Sequence, residues 1–155
     1  MHSTIYQIAK TQMEQEDHLS GLDLLEHDYG KFGIDYVGDE REDWDGFDSF
    51  VNDTPSELFT VNRDNRSITV NRDNIKLILR QMVNAVHDAA NEINEDNITH
   101  WKESYLLQQT CENYLGGNAL FYFENELMGL NQFIKDVTTQ DCTTLYIGAM
   151  LDYHI

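Results

Sequence analysis

Apolar and polar residues alternate from Glu57 to Val70, and the alternation then gives way to a helical period. The stretch reads Glu-Leu-Phe-Thr-Val-Asn-Arg-Asp-Asn-Arg-Ser-Ile-Thr-Val. A turn centred on Asp64-Asn65 sets Val61 opposite Ile68 and Phe59 opposite Val70 on one face. Thr60 then faces Thr69, and Asn62 faces Ser67, on the other. Asp and Asn tolerate the positive φ of tight hairpin turns, so register and turn chemistry agree. From Ile75 the apolar positions are Ile78, Leu79, Met82, Val86, Ala89 and Ile93, spaced by threes and fours along one helix face. Asn71 or Asp73 can cap its first turn by accepting from backbone N–H groups that have no partner there.

Elsewhere the pattern is more mixed. Ser3 is placed to cap a short helix bearing Ile5, Ile8, Ala9 and Met13, although Ile5 to Ala9 also suits a strand. Ser20 caps a turn or two carrying Leu22, Leu24 and Leu25, which ends before Gly30 and Gly33. Ile34, Tyr36 and Val37 make a brief strand. Trp44, Phe47 and Val51 fall at i, i+3 and i+7, a short helix pinned to the core by its aromatics. Thr54-Pro55-Ser56-Glu57 has the form of a capping box, but the hairpin pairing is the stronger signal, so Thr54-Pro55 reads as the turn into it. Thr99 opens a helix through Trp101, Tyr105, Leu107, Cys111, Tyr114 and Leu115, closed by Gly116-Gly117. Leu120, Phe123, Leu127, Leu130, Ile134 and Val137 are spaced 3-4-3-4-3, which predicts a helix capped by Asn118. Ala119 to Phe123 also fits a strand, and Gly129 weakens the helix by about 1 kcal/mol against alanine. Leu145, Ile147, Ala149 and Leu151 share one face of a closing strand. The sum is an α+β fold in a single domain over residues 1–155: a small antiparallel sheet (hairpin 57–71 plus C-terminal strand 144–151) packed with three to five helices.

Composition narrows the function classes. A chain of 155 residues, 41% apolar, supports one ordinary core. Cys111 and Cys142 make no disulfide framework, and the first residues lack the basic and apolar segments of a signal peptide. No run approaches the roughly 20 apolar residues that span a bilayer, so a cytoplasmic protein with free thiols is expected. Charge changes the picture most. There are 28 acidic against 10 basic residues, a net −18. Between Glu14 and Glu57 stand 15 acidic residues opposed only by Lys31 and Arg41, so this segment holds −13 of the −18. The sign then reverses: Arg63, Arg66, Arg72, Lys76 and Arg80 follow. The hexapeptide Thr-Val-Asn-Arg-Asp-Asn occurs at 60–65 and again at 69–74, the same turn-and-cap chemistry used twice rather than a solenoid repeat. Binding to phosphates requires cations that displace counterions, so direct contact with nucleic acid is excluded, and an anionic membrane is disfavoured for the same reason.

The familiar catalytic and metal motifs do not occur. Placing Gly46 at the sixth position of a calcium loop puts Arg41 first and Asn52 last, so both terminal ligands fail. Asp43, Asp45 and Asp48 lack the remaining oxygens of a calcium shell. His18, His27, Asp23, Glu26 and Asp28 have no spacing that fixes metal geometry. His87 falls on the polar side of its helix. Cys111 shares an apolar face, Cys142 sits in a turn, and neither has a histidine at a telling spacing. No GxSxG, GxGxxG or phosphate-binding glycine loop is present. No enzyme, no metal and no cofactor are therefore expected.

What remains is an acidic, aromatic surface. Asp39, Glu40, Glu42, Asp43, Trp44, Asp45, Phe47 and Asp48 form the candidate partner-binding set, with Phe50, Tyr29 and Tyr36 nearby. Charges steer encounter and desolvated aromatics anchor the complex, which is how tight interfaces are commonly built. In composition the chain is similar to bacterial immunity proteins and to phage or plasmid proteins that mimic DNA against nucleases. The resemblance implies a small inhibitor that neutralises a basic, nucleic-acid-acting partner (a nuclease, toxin or DNA-binding factor), itself a monomer or homodimer. The alternatives are an interaction or structural protein whose acidic stretch is only a solvated face, and a small metal- or acid-dependent hydrolase.

Overall fold

The computed structural model describes residues 2–26, 32–112 and 118–154, the side chains of 25, 26 and 112 excepted. Within them, one mixed sheet contains β1 (His2–Ala9), β2 (Tyr36–Glu40), β3 (Phe59–Asn62), β4 (Ser67–Val70), β5 (Leu120–Phe123), β6 (Glu126–Gly129) and β7 (Thr144–His154). The helices are α1 (Asp43–Asp53), α2 (Arg72–Asn91), α3 (Trp101–Glu112) and α4 (Leu130–Thr139), with short 3-10 turns at Gln15–Asp17 and Asp23–Glu26. The strand order is β3-β4-β7-β1-β5-β6, and β2 lies beside β7 beyond the end of β4. The fold is α+β, but the sheet is larger than the small antiparallel one expected, and β1 pairs with β5 in parallel.

The hairpin has the register its alternation dictates, Phe59 with Val70, Thr60 with Thr69, Val61 with Ile68 and Asn62 with Ser67. The positive φ falls not on Asp64 or Asn65 but on Arg66, at 51°. Arg66 N–H donates to Arg63 C=O at 3.2 Å, so the chain completes an ordinary turn before it swings into the left-handed region.

The expected N-terminal helix is instead the central strand β1. Both its faces are covered, so the polar alternation that marks a half-buried strand is absent and Thr4 to Ile8 are all buried. Tyr6 and Ile8 enter the larger core cluster and Ile5 the smaller one behind the sheet. The expected helix from Asn118 through Val137 is likewise replaced by a hairpin, β5–β6, followed by α4. Leu120 and Leu127 point to one face and Phe121, Phe123 and Met128 to the other, so the 3-4 spacing arose from two short strands in succession. Glu124 and Asn125 make the turn with φ of 52° and 66°, the pair of left-handed residues that a two-residue hairpin loop demands. Gly129, expected mid-helix, is the N-cap of α4. The Tyr114, Leu115 and Gly116-Gly117 helix end lies outside the described residues, as do His27, Asp28, Tyr29, Gly30 and Lys31. Ser20 and Asp23 do meet: Ser20 N–H and Oγ both donate to Asp23 Oδ2 at 2.7 Å.

The larger core is aromatic. Phe121 stacks on Phe133 at 4.6 Å between ring centroids, Phe50 meets Tyr6 edge-on at 5.0 Å, and Phe59 and Phe123 flank Phe133. Helix α1 forms where expected, yet Phe47 and Phe50 pin it, each contributing about 1.5–3 kcal/mol by burial. Trp44 and Val51 are exposed. Gly46 lets the helix sit directly on β7, since a Cβ there would stand 2.4 Å from Met150 Sδ.

One irregularity shapes the centre of the sheet. Tyr6 pairs with Met150 but Ile8 pairs with Ile147, so β7 carries one extra residue across Gly148-Ala149. The bulge reverses the alternation. Leu145, Ile147 and Met150 face the aromatic core, whereas Ala149, Leu151 and Tyr153 face the smaller cluster with Leu24 and Ile34. The single face expected for Leu145, Ile147, Ala149 and Leu151 is therefore divided. The buried Gln7 amide serves the bulge: its Oε1 accepts from Ala149 N–H at 2.9 Å and Leu19 N–H at 3.0 Å, and its Nε2 donates to Asp17 C=O at 3.0 Å. The two thiols are also the reverse of expectation, Cys111 exposed and Cys142 buried. Cys142 N–H closes the end of α4 on Val137 C=O, which draws its turn inward. Burial raises its thiol pKa.

Two stability outcomes follow from this packing. Ile68→Ala empties a fully buried site and is expected to cost about 2–4 kcal/mol, whereas Thr69→Ala on the exposed face should stay within about 0.5 kcal/mol; equal losses in urea melts would contradict the assigned faces. Gln7→Leu keeps the bulk but strands the N–H groups of Leu19 and Ala149, at about 1–3 kcal/mol each, and the same melts should show it to be as costly as a core truncation.

Candidate functional site

The acidic stretch occupies the end of β2 and the first turns of α1, and the turn of the β3–β4 hairpin lies against it. Asp39 and Glu40 close β2, Glu42 is the N-cap of α1, and Asp43, Trp44, Asp45, Phe47 and Asp48 follow on the helix. Carboxylates in this first turn face the positive end of the helix dipole, which favours them there.

The hairpin arginines divide the set. Arg66 forms an ion pair with Asp43, and its Nη2 stands 3.9 Å from Glu40. Arg63 pairs with Asp48. The Arg63 guanidinium also lies 4.9 Å from the centre of the Trp44 ring and 6.0 Å from that of Phe47, while Arg66 lies 5.7 Å from Phe47. Asp39, Glu42 and Asp45 are exposed and make no ion pair with a described residue. Trp44 is 71% exposed, so the ring supported from one side by Arg63 is otherwise open to solvent. Phe47, grouped with these residues in the sequence, is 2% exposed and belongs to the core.

Beside this face is a polar cavity of about 480 Å³ lined chiefly by His18, Glu40, Arg41, Glu42, Asp43 and Arg66. His18 Nδ1 is 2.9 Å from Glu40 Oε1, and the His18 side chain is almost fully buried. The two arginines are already engaged. Arg66 donates from Nε to Ile147 C=O at 3.0 Å and from Nη2 to Gly148 C=O, holding the free edge of the β7 bulge. Arg41 donates to Ser49 Oγ at 2.8 Å and pairs with Asp152, while its N–H bonds Met150 C=O at 2.7 Å. With both cations committed to protein partners, Glu40, Glu42 and Asp43 leave the cavity mildly anionic, a site for a cationic group rather than a phosphate. Asp43 and Asp48, two of the three carboxylates considered for a calcium shell, are held by arginine. No group of three or more His, Cys, Asp or Glu side chains among the described residues is placed to hold a metal ion. His87 stands on the exposed side of α2.

His18, Arg63 and Arg66 were not singled out as site residues by sequence. For the arginines a signal existed, the reversal of charge sign immediately after the acidic stretch. For His18 there was none, because its partner Glu40 is 22 residues away and the two meet only when Gln7 holds the chain on either side of His18 at Asp17 and Leu19.

Burial raises the pKa of the Asp152 carboxyl, but hydrogen bonds from Arg41 and His2 outweigh it and hold the group below the ordinary carboxylate range. A depressed native pKa means stability that is present above the unfolded value, near 3.9, and lost as pH falls through the native one. Urea melts of Asp152→Asn are therefore expected to show a shallower loss of stability than the parent between about pH 5 and 2; identical acid limbs would show that the Arg41 clamp contributes nothing measurable.

No helix among the described residues is long and apolar enough to cross a membrane. The sequence matches no protein-family model, and neither a curated protein nor a solved structure is significantly similar to it.

Proposed function

We propose that this chain is a small acidic binding protein, not an enzyme, which neutralises a basic protein partner of the kind that acts on nucleic acid. The observation that carries the reading is Trp44. It is the aromatic of α1 that the core does not use, it stands exposed beside Asp43 and Asp64 at the hairpin turn, and a cation–π contact with Arg63 orients it from behind. A pre-oriented indole loses little entropy on binding, and aromatic side chains of this kind make effective anchors when desolvated by a partner. The neighbouring anionic cavity then receives a lysine or arginine side chain of that partner against Glu42, the carboxylate of its lining that no described cation holds.

The geometry favours a compact interface over duplex mimicry. DNA presents one negative charge per roughly 1.7 Å of axis, and a mimic needs free carboxylates in an array. Here Glu40, Asp43 and Asp48 are engaged by hairpin arginines, which leaves Asp39, Glu42 and Asp45 as the free charges.

The test is an affinity pull-down from the host, or from its competitors, at low and high salt, followed by kinetics on each basic partner recovered. Trp44→Ala is expected to weaken binding by about 2 kcal/mol or more through faster dissociation, with the fold intact because the ring is exposed. Glu42→Gln with Asp45→Asn should instead slow association, and its deficit should shrink at high salt as screening removes the steering. Full affinity after neutralising Asp39, Glu40, Glu42, Asp43, Asp45 and Asp48 together would reduce the stretch to a solvated face.

A further inference from the structure

We propose that the groove between α2 and α4 docks an amphipathic helix with acidic flanks, supplied by a partner protein. It is a second contact surface, opposite in charge to the α1 face and independent of it.

Helix α2 carries more apolar surface than the core covers. Ile75 is buried, and Ile78 and Met82 pack on the aromatic cluster. The stripe widens beyond them onto Leu79 and onto Val83, which is 53% exposed. Alongside runs α4, whose Ile134 reaches the core. An open groove of about 560 Å³ lies between the two helices, with Leu79, Met82, Val83 and Ile134 as its apolar lining. Thr138 Oγ1 is also at the groove, buried and without a hydrogen-bond partner. A groove open along two helices suits an elongated partner, and an apolar helix face laid into such a channel is a recurrent mode of recognition. Small-molecule sites, by contrast, enclose most of the ligand.

Charge selects the occupant. Among the described residues no acid lines this groove, although the chain has 28, and the one charged lining residue among them is Lys135. Lys76 and Arg80 stand one turn from Leu79 and Val83 on the same side of α2, since positions three and four apart are neighbours on a helix. Lys76, Arg80 and Lys135 make no ion pair with a described residue, whereas Arg41, Arg63, Arg66 and Arg72 are all paired. The acids of the same two helices are directed elsewhere. Asp88 falls on the far side of α2 at 100° per residue, Asp73 stands one turn before Lys76 and offsets part of its charge, and Asp136 accepts from Gln132 Nε2 at 2.7 Å on the side of α4 away from Lys135. The result is an apolar channel whose rim carries three cations, Lys76, Arg80 and Lys135, against the single carboxylate of Asp73, a net positive edge.

The probes are two stapled helical peptides of about 14 residues, four turns, with the same leucine stripe and either glutamate or lysine on the flanks. By fluorescence anisotropy the glutamate peptide is expected to bind the whole chain and the lysine peptide at least about tenfold more weakly, a difference that narrows at high salt. Val83→Asp, at an exposed position that folding does not need, should reduce glutamate-peptide affinity by about tenfold or more, as should Arg80→Glu with Lys135→Glu. Trp44→Ala should leave it unchanged, which separates this surface from the α1 face. Failure of the glutamate peptide to bind, equal binding of both peptides, or insensitivity to Val83→Asp would overturn the proposal. So would a dimer, seen by light scattering, that Val83→Asp dissociates, because the groove would then be covered by a second copy.

Discussion

The extra residue in β7 and the two polar side chains that satisfy it are what the rest of the molecule depends on. A bulge in a central strand exposes backbone groups where no water reaches them. Gln7 takes up one edge of the bulge from β1, and Arg66 takes up the other from the hairpin turn. Both long faces of β7 can then be apolar although the strand changes sides midway. The same irregularity opens the gap between the end of β4 and the start of β2 along one edge of β7. Arg66 fills it on one side, and on the other Arg41 enters from the end of β2.

The acidic face is built outward from that gap. Arg66 reaches Asp43 from the bulge, Arg63 reaches Asp48 and backs the Trp44 ring, and Arg41 ties the start of α1 to Asp152. Most of these cations are partly covered, and their main work is positional: they turn a flexible acidic segment into a surface with a fixed set of free charges. Exposed ion pairs of this kind contribute little to stability singly, so their value here lies in geometry.

For the β3–β4 hairpin and the helix α1, the letters alone were enough. Phe59 to Val70 alternates with period two and its register follows, although Arg66 rather than Asp64 or Asn65 absorbs the left-handed turn. The α1 helix and its exposed acidic side were legible because charge and aromatics concentrate there. The rest required knowledge of neighbours. Thr4 to Ile8 shows no strand alternation because helices cover one face of β1, and Leu24 and Ile34 belong to the cluster on the other. The apolar positions from Leu120 to Val137 matched a helix because a two-strand hairpin and a helix happen to share a mean spacing. The division of β7 at Ala149 is accommodated by Gln7, distant along the chain, and the same side chain anchors the turn that brings His18 to Glu40.

The two strands at the middle of the sheet, β1 and β7, lie at opposite ends of the chain, with His2 beside His154. Nucleation therefore cannot begin with the central pair before β7 has been synthesised. The β3–β4 hairpin and α2, local in sequence, are the units able to form early, and β1 must wait for its β7 partner until Thr144–His154 has been made. Long loop closure of this sort slows folding relative to helical proteins of equal size, toward the millisecond-to-second range of sheet topologies. The strong negative charge that follows β1 between Glu14 and Glu57 has a physical consequence in that interval: like-charged chains repel one another while β1 is unpaired.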